Sequence, residues 1–256
     1  MDILDMCYHS MYEKTLKELL NALPMKNDIL TYYKEFDERE RIADLYGKTV
    51  RVSEVQFPLL YNMGRNLAYL LKINMPEIFV FEDFYYGVQA KGVTNPWIEI
   101  SAKTLQDLSN QQLNFLLGRE FFKIVSGALE TIAITNQLEK LIQGSIIPAN
   151  EILSKGILLK SSKWLRLLNY SADNFGYLIV KDIVPCVKCI LLLILNNKEL
   201  VEKLNIREFI IQGDKISRLG DKVSRYTKND EKIPYGPYRI KNLILFSTLK
   251  QTYAFL

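Results

Sequence analysis

The sequence predicts an α+β fold, mainly helical, with one small sheet. Three observations carry this. Leu113, Leu116, Leu117, Phe121 and Ile124 recur at helical spacing. Three short runs rich in β-branched and aromatic residues, 77–81, 86–90 and 97–101, are separated by turn residues such as Lys91-Gly92 and Thr94-Asn95-Pro96. Helical apolar stripes flank these runs on both sides, beginning with Leu16, Leu19, Leu20 and Leu23 and stopping at Pro24.

The remaining elements follow in chain order. Residues 1–47 read as an N-terminal helical extension, and 48–256 as the main domain. Tyr32 to Leu45 is amphipathic and highly charged, with Asp37, Glu38, Arg39, Glu40 and Arg41, and is expected to be a solvated face. An extended entry at 49–58 precedes a helix over 59–71. After the three strands, a helix starts at Ser109, an N-cap with Gln112 three residues later in capping-box position, and is expected to run on through Ser126-Gly127 to about Leu141. A loop with Gly144 and Pro148 follows, then helices over 152–159, 162–180, 183–196 and 197–204. The stretch from Tyr226 to Tyr238 reads as a surface loop before the last helix.

Composition narrows the function classes. Of 256 residues, 48% are hydrophobic and 24% charged, enough for a sizeable core. The net charge of +4 comes from scattered cations, which is no argument for nucleic acid. The three cysteines, Cys7, Cys186 and Cys189, form no disulfide framework and fit a reducing compartment. The opening Met1-Asp-Ile-Leu-Asp lacks a signal-peptide pattern, so a cytoplasmic, soluble protein is expected. The longest apolar run, 183–195, is broken by Pro185 and Lys188. It falls short of the roughly 20 residues a membrane-spanning helix needs, so it is expected in the core. Cys186 and Cys189, Trp97 and Trp164 are likewise expected to be packing residues. A zinc site joining Cys7 and His9 to that cysteine pair has poor spacing. His9 is the sole histidine, so no two-histidine mechanism is available.

The chemistry concentrates in the 109–125 helix. At about 100° per residue, Glu120 falls between Leu116 and Leu117, inside the apolar stripe. Arg119 and Lys123, at i and i+4, stack along one edge of that face. A buried carboxylate costs several kcal/mol unless paired. The bland reading is therefore a satisfied ion pair.

Leu113-Asn-Phe-Leu-Leu-Gly-Arg-Glu-Phe-Phe-Lys-Ile124 resembles the L-x-x-V-L-A-H-E-L-G-H-I helix of the HtpX/Oma-like zinc metallopeptidases, the heat-shock-protease and CAAX-prenyl-protease relatives. Arg51 to Leu60 and Leu71 to Pro76 resemble the family's R-V-s-e-e-q-f-P-e-L and L-G-I-p-x-P passages. Gly87-Val-Gln-Ala90-Lys-Gly92 resembles N-A-x-A-x-G. Asn169-Tyr-Ser-Ala-Asp173 resembles E-x-x-A-D. Ile233-Pro234-Tyr-Gly-Pro-Tyr-Arg239-Ile240 resembles H-P-x-x-x-x-R-I. The likeness runs over about 48–246. It implies a zincin-like fold, with a small antiparallel sheet over the motif helix, a peptide cleft at the sheet edge, and a zinc ion.

The ligands are the departure. The family's two histidines fall on Arg119 and Lys123, its glutamate ligand on Asn169, and its closing histidine on Ile233. Glu120, Asp173 and Arg239 match. Arginine, lysine and asparagine do not make an open catalytic zinc site. The resemblance then implies a pseudopeptidase without zinc or other cofactor. Its vestigial base position is Glu120, with Arg119 and Lys123 neutralising Glu120 and Asp173. Its cleft would hold a peptide or protein partner against Gln89 and Ala90, flanked by Arg119, Lys123, Asn169, Asp173 and Arg239. Two alternatives stay open: metal-independent acid/base chemistry by Glu120 on an anion held by Arg119 and Lys123, or residual metalloendopeptidase activity. Partner identity and oligomeric state are left open.

Overall fold

The computed structural model describes residues 3–143, 151–219 and 231–249, so the expected loop at Gly144 and Pro148 and the segment around Tyr226 lie outside the described residues. The N-terminal region is helical: α1 (Ile3–Cys7), α2 (Tyr12–Leu20), α3 (Lys26–Tyr32), a π-helical turn at Tyr33–Asp37, and α4 (Glu38–Lys48). A short β1 (Val50–Arg51) and α5 (Pro58–Leu71) lead into β2 (Glu77–Phe81), β3 (Val88–Lys91) and β4 (Trp97–Ser101). Then follow α6 (Ala102–Asp107), α7 (Asn110–Val125), α8 (Ala128–Gln143), α9 (Glu151–Val180), α10 (Ile183–Leu195), α11 (Lys198–Lys203), α12 (Ile206–Arg218) and α13 (Gly236–Ser247).

Local chemistry sets the boundaries. Ser109 and Gln112 form the reciprocal capping box that starts α7. Asp182, Asn197 and Asn205 cap α10, α11 and α12 through their side chains. The helix that the periodicity carried through Ser126-Gly127 stops there. Gly127 sits at φ 68°, a left-handed conformation that glycine adopts without strain, and α8 starts afresh. Conversely, the two helices expected over 152–159 and 162–180 are one continuous α9.

The sheet is mixed, not antiparallel. Its order is β1-β2-β4-β3, with β1 antiparallel to β2, β2 parallel to β4, and β4 antiparallel to β3. The cause is the tight turn through Gly92, at φ 80°, which folds β4 back inside β3. The return leg β3 becomes an edge, and β4 lies alongside β2 in the same direction. Every residue of β4 is buried, as befits its central place.

The core gathers where α7, α9 and α10 meet, around Phe115, Phe121, Phe122, Trp164, Phe175 and Ile190. Cys7, Tyr12 and Leu19 from the N-terminal helices are buried in the same cluster. That segment is pinned to α9: the His9 amide donates to Ser171 Oγ (2.9 Å) and Asn174 Nδ2 donates to the Cys7 carbonyl (3.1 Å). Among the described residues, no helix is long and apolar enough to cross a membrane.

Candidate functional site

The site sits where α7 and α9 approach backbone to backbone. A Cβ placed on Gly118 would lie 3.2 Å from the Gly176 Cα, and one on Gly176 would lie 2.7 Å from the Phe115 carbonyl oxygen. Only glycine allows that approach. It brings Arg119 of α7 into reach of Asp173 and Asn169, one and two turns earlier on α9.

Asp173 is fully buried and faces two guanidinium groups. Arg239 of α13 donates from Nε to Oδ2 and from Nη2 to Oδ1, each at 2.8 Å, a bidentate fork. Arg119 Nε lies 2.6 Å from Oδ1, but its N–H is not directed at the oxygen. The contact is therefore an ion pair rather than a second fork. Arg119 instead donates from Nη2 to Asn169 Oδ1 (2.9 Å), and Asn169 Nδ2 donates to the Leu165 carbonyl. Burial alone would push the Asp173 carboxyl up. The charges of Arg239 and Arg119 and the hydrogen bonds from Arg239 outweigh it and hold the group below the usual carboxylate range.

Glu120, also fully buried, accepts from Lys123 Nζ at both oxygens (2.7 and 2.9 Å) and from the Ala90 amide at Oε2 (2.8 Å). Burial pulls the Lys123 ammonium below its ordinary value, helped by the charge of Arg119 and opposed by Glu120. The Ala90 bond also fixes the phase of β3. Ala90 pairs with Ile98 across the ladder yet sends its N–H away from β4, so Val88, two residues earlier, does the same. Gly87, in the opposite phase, accepts from the Ser101 amide.

That outward edge of β3 borders a cleft of about 590 Å³. Gln89, Arg119, Glu120, Lys123, Asn169 and Arg239 all line it; Asp173 stands behind the two arginines, and Ala90 is tied to Glu120. The residues singled out from the sequence are thus brought together around one cavity. Lys232, Ile233 and Pro234, read from the sequence as part of a surface loop, form one wall of it. Lys232 is paired with Glu139 of α8.

The residues that the resemblance would place as zinc ligands do not fit zinc. Lys123 is held against Glu120, Arg119 is spent on Asp173 and Asn169, and the Asn169 amide oxygen already accepts from Arg119. Among the described residues no group of three or more His, Cys, Asp or Glu side chains could hold a metal. Cys7, Cys186 and Cys189 are buried and unbridged, and burial pushes the Cys189 thiol up to about 12.

Sequence reasoning missed a second carboxylate centre. Glu99 of β4 accepts from Arg41 (3.0 and 2.5 Å), from Lys91 Nζ (3.1 Å) and from Trp97 Nε1 (2.9 Å). Glu38, assigned to a solvated face, is buried and accepts from the Val93 and Thr94 amides in the β3–β4 turn. Both depend on partners far away in sequence. The glycine pair was the one signal in plain view: Gly118 precedes Arg119 inside an apolar helix, where glycine costs about 1 kcal/mol and so calls for a packing reason. No family model, no curated protein and no solved structure matches the chain.

Proposed function

We propose that this chain is a catalytically inactive relative of the HtpX/Oma-like zinc metallopeptidases, and that it holds an extended peptide or protein segment in the cleft beside β3. One observation carries the reading. An edge strand with outward-facing backbone groups borders an open cavity, while Arg119 and Lys123 are engaged in ion pairs and Asn169 accepts from Arg119. An extended segment gains main-chain hydrogen bonds from such an edge, and cleft side chains select its residues. Val88 offers both its N–H and its carbonyl. The Ala90 amide is engaged by Glu120, so the strand added here is short. The acid/base alternative is disfavoured by the same bond set: Glu120 accepts three hydrogen bonds from the protein itself.

The test has two parts. Elemental analysis and a casein cleavage assay are run on one preparation; zinc at one per chain, or cleavage, would overturn the inactive reading. Binding of acetylated, Val- and Thr-rich heptapeptides is then compared between the native protein and Val88→Pro. Proline removes an N–H that the ladder does not use, so the fold persists and peptide binding is lost. Undiminished binding to the proline variant would sink the edge-strand reading.

A further inference from the structure

The cleft floor is not electrically balanced. Among the described residues, Arg119, Lys123 and Arg239 pair with two carboxylates, Glu120 and Asp173. Asn169, which bonds Arg119, contributes an amide where a carboxylate would complete the pairing. The surplus charge is buried: Arg119 and Arg239 are 6% and 4% exposed. Two buried guanidiniums that share one carboxylate are each incompletely compensated, and a ligand carboxylate would supply the missing counter-charge. Arg119 is also short of hydrogen bonds. Its Nη2 is satisfied by Asn169, while its Nε is sealed from solvent without an aligned acceptor. Lys123 directs two bonds at Glu120 and has a third proton. Both side chains line the cavity.

We infer that the cleft contains a carboxylate subsite, in which Arg119 and Lys123 receive one carboxylate of the bound segment. The inference rests on the peptide-cleft reading and adds what the peptide must carry. A surplus of one positive charge matches a monovalent carboxylate; a phosphate near neutral pH would overcompensate it. The carboxylate comes either from the free C-terminus of the segment or from an Asp or Glu side chain.

Isothermal titration at low ionic strength tests this with four probes: propionate, acetyl-Val-Thr-Val-Thr as the free acid, the same peptide as its C-terminal amide, and an amidated acetyl-Val-Glu-Val-Thr. The variants are Asn169→Asp and Arg119→Gln, each of which cancels the surplus charge by a different route. Melting curves establish that at least one is folded. The native protein is expected to bind the free acid at least roughly tenfold more tightly than its amide, a gap that closes in both variants. Propionate is expected to bind the native protein and neither variant. Recovery of free-acid affinity by the Glu-containing amide identifies a side chain as the source; its failure identifies the C-terminus. Equal binding of acid and amide by the native protein, with no propionate binding, overturns the carboxylate subsite and leaves the peptide cleft standing. Propionate binding that is lost in the variants, with no peptide bound at all, upholds the subsite and overturns the peptide cleft.

Discussion

Two carboxylates in this protein are each held by two cations, and they differ in where the cations lie. Asp173 is sealed, and the side chains of its partners Arg119 and Arg239 are only 7% and 5% exposed. Glu99 is nearly as buried, but about a third of each partner side chain, Arg41 and Lys91, remains in water. Desolvating a cation costs several kcal/mol, and only excellent geometry recovers it. The inner centre therefore depends on every partner being present. The outer one draws on solvent and tolerates loss. Both centres border the cleft, the inner one through Arg119 and Arg239 and the outer one through Lys91 and Glu99, so they differ in access to water rather than in place.

The largest way to break this comparison is Asp173→Asn, which strands two buried guanidiniums. We expect a loss of about 3–5 kcal/mol in urea denaturation, unchanged by 1 M salt. The pH dependence follows from the direction of the shift. A carboxyl held low in the folded state adds stability above its unfolded value, near 4, and that contribution disappears as pH falls through the folded one. Asp173→Asn should flatten the acid limb of stability against pH below about 4; an unchanged limb would remove Asp173 from the account.

Gly176→Ala addresses what seals the inner centre. The new Cβ meets a backbone oxygen, which cannot rotate away. We expect a loss of about 2 kcal/mol by the same measurement, accompanied by greater salt sensitivity as the helices part. Normal stability would mean that the helix approach is not what closes the site. Glu99→Gln should have the smallest effect, about 1 kcal/mol after allowing for the exposed partners, and should shrink further in 1 M salt. A loss as large as that at Asp173 would erase the distinction between the two centres.

How legible each part was depends on the separation of its partners. The capping box at Ser109 and Gln112 is written within four residues, and the limits of β2 and β4 within five, so periodicity and turn residues place them. The pairing of Glu120 with Lys123 is one helical turn and was equally plain. The mixed sheet was not, because strand order depends on which way the Gly92 turn folds β4, and alternation within a strand is silent on that. Glu38 and Arg41 look like ordinary surface charges from their neighbours alone. Their partners at Thr94 and Glu99 lie 56 and 58 residues downstream. The bidentate grip of Arg239 on Asp173 was foreshadowed only by the family resemblance, which puts that arginine near the site's carboxylates.

The glycine contact between α7 and α9 has a consequence for motion. Two helices in main-chain contact at Gly118 and Gly176, with the Phe115 and Ile179 side chains packed tightly alongside, move as one stiff body. Widening of the cleft then falls to its other walls, among them the β3 hairpin, which the bond from the Ala90 amide to Glu120 ties to that body. Breathing at the β3 wall involves the making and breaking of that hydrogen bond. The exchange rate of the Ala90 amide with deuterated solvent reports it, against slow neighbours on α7.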